Sequence, residues 1–269
     1  MGKLMKADMF RIKRSKAIYI VPIFIILFVL LSCSIFLALQ SLTSSDMING
    51  LVGETGMTEM IPMEAITYSG YDMTMVNLQS DTLIYALIAI FLLVSAVDFS
   101  SGTIKNLLTS GITKRQIFIS KLMNSLWLTF IYFIIYVVSS VAFSYLLFGG
   151  TLDWKTLADI GLVALKQLPI YFGIISAGHM FVFMSQKVSI SVVAYIVTFM
   201  MFNTLLPMVN MVLDLPFNFT LLFPLYQCIE LTKTGLMVTD YAVIYGSTVV
   251  YLLGSWLVGY FKFKKAEIK

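Results

Sequence analysis

Apolar residues run along this chain in long blocks separated by short polar stretches. Several blocks exceed the roughly 18–20 residues that cross a bilayer as a helix. Six spans are predicted, over 17–40, 80–98, 116–148, 167–185, 188–208 and 241–261. Period-two alternation, the mark of a membrane β-barrel, does not occur in the sequence. In lipid each span must satisfy its own backbone, so these blocks predict helices and an all-α membrane protein. The third block is longer than one crossing needs, which leaves its first turns outside the hydrocarbon.

Composition agrees with this pattern. Of 269 residues, 59% are hydrophobic and 12% charged. A soluble domain carries about 25% charge. The first block has a basic lead and an apolar run that are both long for a signal peptide. No small-x-small site stands out near Gln40, so a retained anchor is expected.

Lysine and arginine set the orientation. With the N-terminus in the cytoplasm, inner segments hold all but Lys155, Lys166 and Lys233 of the 18 basic residues. Both termini are therefore expected inside, in a multi-pass protein of the plasma membrane. Of the 14 acidic residues, only Asp8, Asp98 and Glu267 fall on the inner side. Asp46, Glu54, Glu59, Glu64 and Asp72 crowd the first outer loop. Depletion of outer lysine explains that crowding, and an acidic face for a cationic substrate is the other reading.

Three non-span segments stand out. Residues 3–16 predict an amphipathic interfacial helix, with Leu4, Met5, Met9 and Ile12 on one side and Asp8 intruding. Residues 209–240 are too apolar for a loop. Pro216 and Pro224 forbid one continuous helix there, while Asp214, Glu230 and Lys233 argue against a full crossing. A broken helix dipping into the outer leaflet is expected. Asn218-Phe-Thr220 also matches a glycosylation sequon, a weak signal.

The third segment, 99–115, lies on the cytoplasmic side. Asp98 ends the second span, Gly102 permits a sharp turn, and Thr103 can cap a short helix. Ile104, Leu107 and Leu108, spaced i, i+3, i+4, give that helix one apolar face. Gly111 suits its stop, and Thr113-Lys-Arg-Gln116 reads as a capping box for the third span. Two roles are open. The helix lies flat on lipid with its lysines on anionic headgroups, or it docks into a partner.

The run Asp98, Gly102, Thr103, Lys105, Leu107, Leu108, Thr113, Lys114, Arg115, Phe118, Ser120 and Lys121 resembles the ABC type-2 permease family. The motif covers about 24 residues, and the six-span plan extends the resemblance over essentially all of 1–269 as one transmembrane domain. The resemblance implies that 99–115 is a coupling helix in the groove of a separate ATPase subunit. Asp98, Gly102, Thr103, Ile104, Lys105, Leu107, Leu108, Thr113, Lys114 and Arg115 would be the coupling residues. It makes 1–16 an elbow helix on the inner leaflet and 209–240 a re-entrant outer segment. It also puts the first, second and fifth spans on a central path. No G-x-x-x-x-G-K-[ST] loop occurs, so ATP and magnesium would sit on two copies of a partner ATPase, and this chain would be no enzyme. A second permease copy or a sibling completes the expected assembly.

The cargo is open. Similar small permeases export amphipathic or antimicrobial peptides, including phenol-soluble modulins, or protect a producer from its own lantibiotic. Drug, lipid and polysaccharide cargo are alternatives. Seventeen methionines suit a greasy, adaptable cavity, though most read as packing residues. A secondary transporter would want mid-membrane acids, and an intramembrane enzyme paired catalytic groups. His179, the only histidine, is a functional candidate within a span or a structural hydrogen-bonding group. Cys33 and Cys228 lie at different depths and read as small apolar fillers. Nothing suggests nucleic-acid binding.

Overall fold

The computed structural model describes residues 2–43, 68–213, 219–233 and 235–266, and no strand occurs among them. The helices are α1 (Gly2–Arg14), α2 (Ala17–Thr43) and α3 (Gly70–Gln79), followed by α4 (Thr82–Ser100), α5 (Thr103–Thr109) and α6 (Lys114–Phe148). Then come α7 (Trp154–Ser185), α8 (Val188–Leu213), α9 (Pro224–Glu230) and α10 (Val238–Lys265), with a 3-10 turn at Phe219–Leu222 before α9. Six of them, α2, α4, α6, α7, α8 and α10, are long and apolar enough to cross a membrane.

Each of the six expected spans is occupied by one of these long apolar helices, with changed limits. α6 has 35 residues. At 1.5 Å per residue that is about 52 Å, well beyond a hydrocarbon core of about 30 Å. α7 begins at Trp154, far ahead of the expected 167. Lys155, Asp159 and Lys166 lower the hydropathy of that stretch, but Ile160, Ala164 and Gln167 on its other face are buried. Lys166 is therefore inside a helix rather than near its end, and its Nζ donates to Tyr241 Oη at 3.2 Å. α8 carries on to Leu213, so the first residues of the expected 209–240 element belong to the fifth long helix.

α3 was not anticipated. Ser69 and Asp72 form a capping box at its start, with Ser69 N donating to Asp72 Oδ2 at 3.0 Å. Asp72, grouped above with the acidic outer loop, is thus a helix cap. Gly70 meets the turn after α6 so closely that a Cβ there would lie 2.5 Å from Gly149 O. Asp46, Glu54, Glu59, Glu64, Asp214, Pro216, Asn218 and Glu267 lie outside the described residues.

α4 and α7 form the middle of the bundle. In their most apolar stretches 61% and 56% of residues are buried, against 12% for α8 and 22% for α2 and α10. Close approach explains part of this, since Gly178 of α7 faces the Phe91 ring of α4 with no room for a side chain. Tyr195 of α8 packs on that same ring at a tilt, 5.1 Å between centres, and its hydroxyl donates to Ile84 O at 2.8 Å. Tyr132 of α6 donates to Ile18 O at 3.0 Å, which holds the start of α2 against the bundle. One end of the bundle collects α1, α5 and the lysine-rich close of α10. We call it the basic end.

Candidate functional site

The basic end is built around α5. Gly102 takes a left-handed conformation, φ 69°, that turns the chain out of α4. It occupies the N-cap position with no side-chain cap, and the Thr103 hydroxyl is paired instead with Ser101 Oγ at 2.8 Å. The expectation that Thr103 caps the helix is therefore corrected. The expected box at the start of α6 is present. Gln116 N donates to Thr113 Oγ1 at 3.3 Å, and Thr113 N donates to Gln116 Oε1 at 3.0 Å. Gly111, φ 87°, follows α5 and separates the two helices.

The apolar face of α5 points inward. Ile104 is buried in a cluster with Ile117, Phe118, Phe183 and Phe263. Leu107 and Leu108 are half-buried against the same cluster. Its rings interlock, with Phe118 and Phe183 at 4.7 Å and Phe183 and Phe263 at 4.8 Å. The helix is thus seated on α6, α7 and α10 of its own chain. Its exposed face carries Lys105, Asn106 and Thr109, and Arg115 is exposed at the start of α6. Lys114 is engaged elsewhere. Its Nζ donates to Lys264 O at 3.1 Å and Ala266 O at 2.7 Å, which satisfies carbonyls at the end of α10.

Asp98 does not face outward. It is fully buried and pairs with both Arg11 of α1 and Lys121 of α6. Lys121 also donates to Asp8 at 2.6 Å, and Ser120 Oγ donates to the same carboxylate at 3.3 Å. The four charges come from three helices and sum to zero. Asp8 is thereby explained, because it faces α6 and not the water or the lipid. The Asp98 carboxylate thus makes its pairings inside the chain. Sequence reasoning missed this group. The one available signal was that both acids of the described inner segments break a basic pattern.

One turn above lies His179, fully buried. Its Nδ1 is 3.2 Å from Ser95 Oγ of α4, and its Nε2 contacts Ser125 Oγ of α6. Ser95 sits in a π-helical turn, Leu92–Ala96. Such turns recur at functional sites. Here the turn helps a serine reach the imidazole, and three spans are joined by one side chain. Among the described residues, no three His, Cys, Asp or Glu side chains are grouped to hold a metal.

A family model matches residues 58–269. The chain belongs to the DUF2705 family, described as proteins of unknown function. No curated protein matches it. The matched region of this DUF2705 member contains Asp98 and Lys121 but not α1, which supplies Asp8 and Arg11.

The opposite end uses uncharged ties. Gln167 of α7 is buried and donates to Leu78 O at 3.1 Å and Cys228 O at 3.0 Å, linking α3 and α9. Gln227 donates to Leu221 O at 2.8 Å and Ser247 Oγ at 2.6 Å. Gln79 donates to Thr232 Oγ1 at 2.6 Å. Asn77 accepts from Ser32 Oγ at 3.1 Å and donates to Ser144 Oγ at 3.4 Å, so α3 also bridges α2 and α6. Burial pushes the Cys228 thiol up to about 12, which fits a packing residue and not a reactive one.

Proposed function

We propose that this DUF2705 protein is the permease half of an ATP-driven ABC exporter, with α5 as its coupling helix. The observation that carries the reading is the seating of α5. A handle must be rigidly fixed to the spans and open on its other face. Ile104 supplies the first property, and the exposed Lys105, Asn106 and Thr109 supply the second. In this reading α1 is the elbow helix on the inner leaflet, pinned to the root of the handle by the Asp8, Arg11, Asp98 and Lys121 group. Both termini lie in the cytoplasm. The segment from Phe219 to Glu230, with Pro224 at its helix start, is a re-entrant element that closes the outer mouth. Two ATPase subunits bind below a pair of permeases, and an amphipathic peptide is the favoured cargo. The thinly covered α2 and α8 leave apolar faces for the second permease and for lipid.

The test uses the exposed face. Leu107 and Leu108 are unsuitable, because they pack within the chain and their loss would disturb the fold. The full chain is co-purified with candidate ATPases, and ATP hydrolysis is measured for Lys105→Glu with Asn106→Glu. Association and stimulated hydrolysis should fall while thermal stability stays within about 0.5 kcal/mol, as for surface changes generally. Transport that needs a proton or sodium gradient and no ATPase would overturn the reading.

The buried charges favour one rival, a secondary transporter, since ionisable groups inside a bundle often carry coupling ions. Two acids fully paired with two cations offer no vacant ion site, so the exporter reading is preferred.

A further inference from the structure

Beside α5, on the outer surface of the basic end, α6 and α10 diverge. The gap between them is a groove of ≈ 220 Å³. Ile119, Trp256, Leu257 and Tyr260 form its apolar bed, and Arg115 stands at its rim. A second hollow of ≈ 330 Å³ shares Leu257 and Phe261 with it and is rimmed by Lys262 and Lys265. The walls are firm. Tyr260 packs on Phe118 at 5.9 Å between ring centres, and Gly259 brings α10 against α7, where a Cβ would lie 3.2 Å from Met180 Cα.

The two hollows thus lie side by side across the shared Leu257 and Phe261 side chains, with apolar beds and three cations at their rims. Among the described residues, no carboxylate lines either hollow. Arg115, Lys262 and Lys265 are exposed and, unlike Lys114 and Lys121, are not taken up by ion pairs and carbonyls among the described residues. The feature also lies where a spanning helix leaves the hydrocarbon, the level at which tryptophan and tyrosine concentrate. We propose that this groove is a binding site for one anionic phospholipid. An acyl chain lies on Leu257, Trp256 and Tyr260, and the phosphate is held by Arg115 with Lys262 and Lys265. A guanidinium is well suited to a phosphate, since it can donate two parallel hydrogen bonds. The inference needs the chain to sit in a membrane but not the exporter reading.

Native mass spectrometry of the full chain in detergent tests it, with phosphatidylglycerol and phosphatidylcholine added in turn. Phosphatidylglycerol should bind more tightly. Arg115→Gln, Lys262→Gln and Lys265→Gln should each weaken it roughly fivefold, as a cation near an anionic surface contributes about 1 kcal/mol. Leu257→Trp fills the bed without changing charge and should also release the lipid. A control set, Lys3→Gln, Lys6→Gln and Lys13→Gln on α1, should leave the affinity unchanged. Equal binding of the two lipids, or equal damage from the control set, would overturn the proposal. So would a dimer lost with Leu257→Trp, which would assign the groove to a second copy.

Discussion

The two ends of this bundle solve one problem with different chemistry. Each seats short helices against the long ones. The basic end ties α1 down with ionised side chains, namely Asp8 and Asp98 against Arg11 and Lys121, while α5 rests on its aromatic cluster. The opposite end uses the neutral amides of Asn77, Gln167 and Gln227, which reach backbone carbonyls and hydroxyls. Topology accounts for the contrast. A segment rich in lysine and arginine already contains cations, so an acid brought to it finds a partner. A segment depleted of them would leave a buried acid unpaired, at a cost of several kcal/mol. An amide carries no such risk, and each of its hydrogen bonds contributes about 1 kcal/mol.

The contrast predicts an order of losses, and reversing that order would break it. Asp98→Leu should be the most damaging, by about 3–5 kcal/mol, because the fully buried Lys121 loses one of its two carboxylates and the group keeps two cations against one acid. Adding Arg11→Leu should return a large part of that loss, read as thermal unfolding in detergent. Gln167→Leu should cost about 1–3 kcal/mol, since the carbonyls of Leu78 and Cys228 lose their donor. Should Gln167→Leu prove worse than Asp98→Leu, the neutral ties would outweigh the ionic ones here. Thr113→Ala removes one cap and should cost about 1 kcal/mol. Finally, a maleimide at neutral pH should leave Cys228 unlabelled in the folded chain and label it after denaturation. Fast labelling of the folded protein would show the opposite end to be loosely packed.

Local signals in the sequence were reliable where structure is local. The long apolar blocks became helices, and Thr113 with Gln116 formed the expected box. Gly111 ended the short helix as its position implied. Features made by distant residues were not legible. Asp8 and Lys121 are 113 positions apart, and no periodicity reports that they meet. α3, with the sequence GYDMTMVNLQ, has neither the apolar run of a span nor a clear stripe, and its form depends on Gly70 fitting under Gly149. The apolar face of α5 was legible, but its direction was not. Its spacing is the same whether it meets a partner, lipid or its own chain. Only the aromatic cluster of Phe118, Phe183 and Phe263 decides that it faces home.

The π-helical turn at Leu92–Ala96 has a consequence for how this protein tolerates change in length. Each residue of a helix advances its neighbours by about 100° around the axis. The turn therefore sets the angular register between the part of α4 that meets Phe91's partners and the part that carries Asp98. Removing one residue there returns the turn to ordinary α-helix and leaves Asp98 nearly in place, whereas one residue lost from the regular coil beside it would swing Asp98 away from Arg11 and Lys121 by about a quarter of a revolution. A lineage could drop the extra residue of this turn and keep the ion group, but one codon lost just outside it would part the acid from its two cations.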